Sequence, residues 1–154
     1  MPEADVDHIY DYPKGFIDDI LKSVKTIAMV GASGDKTKFS YGVLRVLHET
    51  GYEMLPVNPN PNINEIRGLK VYHSLKEIDK PVDMVQVFRR KEELLSVAKE
   101  AIEIKAKVLW GQIGVYDDEA AETAKKAGLK VIMNRCPNIE LFRPFWKPRL
   151  DLKI

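Results

Sequence analysis

The sequence predicts an α/β fold, a single domain built on one doubly wound parallel sheet. Short apolar runs of strand length alternate with amphipathic segments of roughly ten residues or more, the pattern of right-handed βαβ units. The first run closes on a glycine turn, Gly31-Ala32-Ser33-Gly34. A length of 154 residues, 45% hydrophobic and 31% charged, suits one domain with its own core.

The elements follow in order. Residues 1–13 read as a loose N-terminal arm, 14–141 as the folded domain and 142–154 as a C-terminal tail. In "GFIDDILKSV", Phe16, Ile17, Ile20, Leu21 and Val24 recur at helical spacing. "TIAMV" (Thr26 to Val30) is an apolar run suited to a strand buried on both faces. From Tyr41, "YGVLRVLHETG" offers Val43, Leu44, Val46 and Leu47 as an apolar side, with Gly51 as a left-handed C-cap. "YEMLPV" gives a second strand, stopped by "NPNPNINEIRG", and a brief strand follows at Leu69 to Tyr72. "VDMVQVF" (Val82 to Phe88) is the next strand, and "KEELLSVAKEAIEIKA" is an amphipathic helix. "KVLWGQIG" is strand and loop. "DDEAAETAKKAG" opens on acids and closes on Lys125, Lys126 and Gly128, which matches the helix macrodipole and its caps. "LKVIMN" is the last core strand. From Arg135 the chain reads as irregular, with Pro137, Pro144 and Pro148.

Composition excludes several function classes. A net charge of +1 gives no electrostatic reason to expect nucleic acid or an anionic membrane. One cysteine, Cys136, rules out an internal disulfide and suits a reducing, cytoplasmic setting. The N-terminus "MPEADVDHIYDYP" is acidic and lacks the regions of a signal peptide. No apolar run approaches the roughly 18 residues that span a bilayer.

In a doubly wound sheet the ligand lies at the carboxyl ends of the strands, near the switch point beside the first strand. Those ends carry Gly31 to Ser33, Asn58-Pro59, Phe88 to Arg90, Trp110 to Gly114 and Asn134 to Cys136. Backbone N–H groups of the first turn and the helix N-terminus after it suit a phosphate, and Lys36 and Lys38 add positive charge. The competing reading, a turn that merely reverses the chain, needs only about 2–6 residues; this connection is longer and basic. NAD fits poorly, because the end of the second strand reads "PVNPN" where an acid would bind the ribose hydroxyls. After Gly34 the next glycine is Gly42, so the dinucleotide spacing fails, and no Walker G-K-[ST] follows. The residues ask for a phosphate-bearing ligand other than NAD or ATP.

Six stretches together match a known family: "VGAS" (Val30 to Ser33), "SYGV" (Ser40 to Val43), "GYEMLPVNP" (Gly51 to Pro59), "VDMVQVFRR" (Val82 to Arg90), "WGQIGVYDDEAA" (Trp110 to Ala121) and "AGLKVIMNRCPNIE" (Ala127 to Glu140). The chain resembles the small stand-alone CoA-binding proteins, relatives of the CoA-binding domain of the succinyl-CoA synthetase α subunit, from about Lys25 to Leu141. The resemblance implies a Rossmann-like domain holding coenzyme A, or an acyl-CoA, across the strand ends. It implies Gly31, Ala32 and Ser33 at the pyrophosphate, flanked by Lys38 and Tyr41. It sets Asn58 and Pro59 on the adenosine side, Phe88 and Arg89 at the crevice edge, and Gln112 or Arg135 along the pantetheine path. The synthetase has a further domain with a phosphorylated histidine and a nucleotide-binding partner. Ligase chemistry is therefore not expected of this chain alone.

No catalytic constellation stands out. His8, His48 and His73 have no serine or cysteine at triad spacing and read as surface or packing residues. One cysteine and three scattered histidines make no zinc pattern. Cys136 carries two readings: a thiol beside Arg135 able to form a mixed disulfide with CoA, or a small half-buried residue before Pro137. Of Arg89-Arg90-Lys91, Arg89 is the candidate for the CoA 3′-phosphate; its alternative is a solvated charge. The tail "LFRPFWKPRLDLKI" reads as an arm on its own domain or on a second copy, so monomer and homodimer both stand. The expected function is a non-catalytic CoA-binding module acting as carrier, sensor or regulator. The alternatives are an NAD(P)-binding oxidoreductase or redox sensor, and the CoA-binding subunit of an acyl-CoA ligase that works with a partner.

Overall fold

The computed structural model describes residues 12, 13 and 15–142, so His8, most of the expected arm and the tail from 143 lie outside the described residues. The elements are α1 (Phe16–Ser23), β1 (Thr26–Val30), α2 (Phe39–Thr50), β2 (Glu53–Val57), β3 (Glu65–Ile66), β4 (Leu69–Lys70), β5 (Met84–Val87), α3 (Leu94–Glu103), β6 (Val108–Gly111), α4 (Asp118–Lys126) and β7 (Lys130–Ile132). Five strands form one parallel sheet in the order β2-β1-β5-β6-β7. This is the doubly wound α/β sheet that the alternating pattern requires.

Strand periodicity divides the core in two. Ile27 and Met29 of β1 turn to one face, where Ile20, Leu21, Leu44 and Leu47 of α1 and α2 cover them. Ala28 turns to the other, covered by α3 and α4. Ala120, Ala121 and Ala124 let α4 lie close to the sheet, and Asp117 caps it by accepting from the Ala120 N–H at 2.8 Å.

Two segments depart from the expectation. The "INEIRGLK" stretch folds into a separate β3–β4 hairpin, with Arg67 (φ 53°) and Gly68 (φ 76°) both left-handed at its turn, as a type I′ turn requires. The brief strand expected to Tyr72 is only Leu69–Lys70, and Tyr72 joins the main sheet through a parallel bridge to Val57. Residues 137–142 are helical, where an irregular chain was expected. Pro137 stands at the first helical position, where its missing N–H costs nothing. Tyr12, inside the expected arm, stacks on Phe16, and its hydroxyl accepts from the Met133 N–H at 2.6 Å.

Asp83 ties the amino ends of the sheet together. Its carboxylate accepts from the N–H groups of Lys25 (2.8 Å) and Thr26 (3.2 Å), and Lys107 Nζ lies 3.5 Å away. Partial burial pushes the carboxyl up, but the two backbone donors and Lys107 outweigh it and hold it below its usual range. A depressed carboxylate contributes stability above its unfolded value of about 3.9 and loses it as pH falls through the folded value. Asp83→Asn should cost about 1–3 kcal/mol at neutral pH, as for a charged hydrogen-bonding group. Its stability should also fall less steeply than wild type in acid. Chemical denaturation from pH 7 to pH 2 checks this; parallel curves for the two proteins would assign the acid limb to other groups.

Candidate functional site

From β1 the chain crosses to β2 on one side and then to β5 on the other, so the switch point lies between the carboxyl ends of β1 and β5. The loop leaving β1 is stitched to β2. The N–H groups of Gly31 and Ala32 both donate to the Val57 carbonyl, at 3.1 and 3.3 Å. The Asn58 side-chain amide donates to the Ala32 carbonyl at 2.8 Å, and its oxygen accepts from the Asn60 N–H at 2.9 Å. Further on, the Asp35 N–H donates to the Ser33 hydroxyl at 3.0 Å. The Asp35 carboxylate accepts from the Thr37 hydroxyl and N–H, which hold it below its usual range.

This accounting changes which amides are available. Gly31 and Ala32 were expected to offer theirs to a pyrophosphate, and both are engaged within the fold. The N–H groups of Ser33, Gly34, Lys36, Phe39 and Ser40 have no hydrogen-bond partner among the described residues. The last two open α2, whose N-cap Lys38 supplies no side-chain cap. Ser40 is also buried there at 7% exposure. Unpaired amides, a helix N-terminus and the exposed Lys36 and Lys38 give this edge a chemistry that suits an anion.

Phe88 and Arg89 form the other wall. Gly31 has φ 94°, and a Cβ on it would meet the Phe88 carbonyl oxygen at 2.5 Å and Arg89 Cδ at 3.2 Å. The Arg89 stem thus crosses the first loop. Its guanidinium donates to Glu93 from Nη2 at 2.6 Å and from Nε at 3.2 Å. That hydrogen bond, with Arg90 behind it, holds the Glu93 carboxyl below its usual range. Tyr41 is half-buried on the first turn of α2, with the Arg67 guanidinium 5.8 Å from its ring centre. Pro59 is exposed beside Asn58.

The remaining expected residues sit farther along the same edge. Gln112 is buried beyond β6 and accepts from Gln86 Nε2 at 3.1 Å. Gln86 was not singled out from the sequence, although a polar residue inside "VDMVQVF" was the available signal; its own Oε1 has no partner among the described residues. Arg135 lies over the Tyr12 ring at 5.4 Å and donates to the Asn134 carbonyl at 3.1 Å. Cys136 is 2% exposed within the α1–α2 side of the core, more deeply buried than the half-buried residue expected. His73 Nε2 pairs with the Ile63 carbonyl at 3.1 Å. Among the described residues no group of three or more His, Cys, Asp or Glu could hold a metal, and no helix is long and apolar enough to cross a membrane.

An open groove of about 470 Å³ lies at the opposite, amino ends of the strands, lined by Val24, Asp83, Ile102, Ala106 and Lys107. The C-terminal ends of α3 and α4 border it through Ala106 and Ala127. Helix C-termini present carbonyls and negative potential, while Lys105, Lys107 and Lys130 bring positive charge to the same groove.

Comparison with known proteins bears on the same residues. A model of the CoA binding domain matches residues 25–141. The Bacillus subtilis protein YneT is 45% identical over 123 residues, which are 80% of this chain and 90% of YneT. The α subunit of the ADP-forming acetate–CoA ligase I of Pyrococcus furiosus is 30% identical over 128 residues, 74% of this chain but 28% of that subunit. A solved structure of a hypothetical protein from Pyrococcus horikoshii is similar at a TM-score of 0.83 and 35% identity, covering 88% of this chain and 94% of that one.

Proposed function

Since the chain belongs to the CoA binding domain family, we propose that it binds coenzyme A or an acyl-CoA at the carboxyl ends of its strands, as a carrier, sensor or regulatory module without chemistry of its own. The observation that carries this reading is the first loop. Its Ser33 and Gly34 amides and the amides opening α2 are unpaired among the described residues, beside Lys36 and Lys38. The end of β2, where an NAD site needs an acid, holds Asn58. In this reading the pyrophosphate rests on Ser33, Gly34 and the α2 N-terminus, with Gly31 and Ala32 as the frame behind them. Asn58 and Pro59 border the adenosine, and Gln112 and Arg135 the outer pantetheine path. The proposed setting is the cytoplasm, as monomer or homodimer.

A second reading makes the chain the CoA-binding part of an acyl-CoA ligase. The match to the acetate–CoA ligase α subunit supports it, although the chain spans 28% of that subunit. Mass spectrometry of small molecules released from the denatured, purified protein tests both readings, and bound NAD would overturn them. CoA at about 100 times its dissociation constant adds roughly 2.7 kcal/mol to stability. For a domain of this size the melting temperature should rise by about 5–10 °C. NAD at the same concentration should do much less; equal shifts would remove the CoA preference.

A further inference from the structure

We infer that Asn58 is a positioning residue that aims the phosphate-binding amide of the first loop, and that this duty is what excludes an acid from the end of β2. The inference rests on the CoA reading above. The orientation of the Asn58 amide is fixed by its two partners. The Ala32 carbonyl can only accept, so the nitrogen faces it, and the Asn60 N–H can only donate, so the oxygen faces that. The Ala32–Ser33 peptide is trans and planar, which sets the Ala32 C=O and the Ser33 N–H in opposite directions. Holding the carbonyl toward Asn58 therefore turns the Ser33 N–H away from β2. Gly31 and Ala32 cannot replace that donor, because both already donate to Val57.

An aspartate at 58 would keep the acceptor for Asn60 and lose the donor for Ala32. Its carboxylate would repel the Ala32 carbonyl and attract the Ser33 N–H, favouring the peptide turned over. The residue that a ribose-binding acid would replace is thus committed to the loop. Ligand class and loop geometry are set by one side chain.

The test is calorimetric titration of CoA and dephospho-CoA into wild type, Asn58→Asp, Asn58→Ala and Asn60→Asp. Asn58→Asp should weaken both ligands by about tenfold, the lower end of a charge-assisted hydrogen bond. Asn58→Ala, which leaves the carbonyl unheld but not repelled, should weaken them less. A packing role predicts the reverse order, since aspartate fills the space of asparagine and alanine does not. Asn60→Asp adds the same charge nearby and keeps the one acceptor that Asn60 uses toward the Asn62 N–H; it should change affinity by less than about twofold, as a screened surface charge. Asn58→Asp binding like wild type, or Asn58→Ala falling below it, overturns the inference. If wild type binds neither ligand, the CoA reading itself fails. The inference is then judged without ligand: exchange of the Ser33 amide proton should slow in Asn58→Asp as the carboxylate captures it, and unchanged exchange overturns it.

Discussion

Replacing Gly31 by valine should remove CoA binding and also lower the stability of the domain. A valine side chain here would block the approach of a phosphate to the loop. The geometry adds a second cost. A Cβ at this position would sit 2.5 Å from the Phe88 carbonyl oxygen and 2.9 Å from its carbon, both backbone atoms. The Phe88 N–H is itself bound to the Val30 carbonyl at 2.7 Å, so this end of β5 has little freedom to retreat. The φ of 94° adds strain for any residue with a side chain. A single left-handed non-glycine residue costs about 1–3 kcal/mol, and the overlap brings the expected loss to the upper part of that range or beyond it. The melting temperature should fall by roughly 10 °C, taking about 3 °C per kcal/mol at this size. Far-ultraviolet circular dichroism below that transition should still show the α/β pattern. Gly34→Val separates fold from site. Its added Cβ would meet only the Ile66 Cγ1 methylene carbon, at 3.9 Å, so stability should hold while the bulk beside the unpaired Gly34 amide weakens CoA. Full affinity in both variants would place the ligand elsewhere.

Much of this architecture was legible because burial and chain geometry act on short, local patterns. The runs "TIAMV" and "VDMVQVF" read as strands, the first as one buried on both faces, and Met29 and Ala28 do turn to opposite sides of the sheet. The β3–β4 hairpin escaped notice because its strands have two residues each, too short for alternation to appear. Arg67-Gly68 was the one cue, and a turn residue such as arginine at positive φ is hard to anticipate. The helix at 137–142 lies in the stretch from Arg135 that was not read as an element, and the fold uses Pro137 as its start. At the site, the residue types were readable but their hydrogen bonds were not. That the Gly31 and Ala32 amides serve Val57, while those of Ser33 and Gly34 have no partner among the described residues, depends on how β2 ends beside β1. No spacing rule encodes that. The same holds for Arg89, whose partner Glu93 is a neighbour on one turn of chain but whose stem crosses Gly31 only because β1 and β5 are adjacent.

Arg89→Ala should weaken CoA by about ten- to a hundredfold, the worth of one charge-assisted hydrogen bond of roughly 1.5–3 kcal/mol. In the structure its guanidinium pairs with Glu93, and the two side chains are 38% and 32% exposed. An ion pair that open contributes about 0–1 kcal/mol, less than a phosphate contact returns, so the pair does not bar the ligand. Glu93→Gln, which frees Arg89, should accordingly tighten CoA by no more than about fivefold. Which phosphate Arg89 serves is decided by dephospho-CoA. The sequence pointed to the 3′-phosphate, which would confine the loss to CoA. The stem lying 3.2 Å from the Cβ position of Gly31 points to the pyrophosphate, which both ligands carry, so an equal loss is the expected result. Lys38→Ala is the complement. Lys38 is exposed at the outer edge of the loop, and a loss confined to CoA in that variant would assign the 3′-phosphate to it. Rising salt should erode the Lys38 contribution first, because screening acts most strongly on the more exposed charge. If Arg89→Ala binds both ligands like wild type, the Arg89–Glu93 pair is a solvated surface contact, and the positive wall of the crevice must be sought in Lys36 and Lys38.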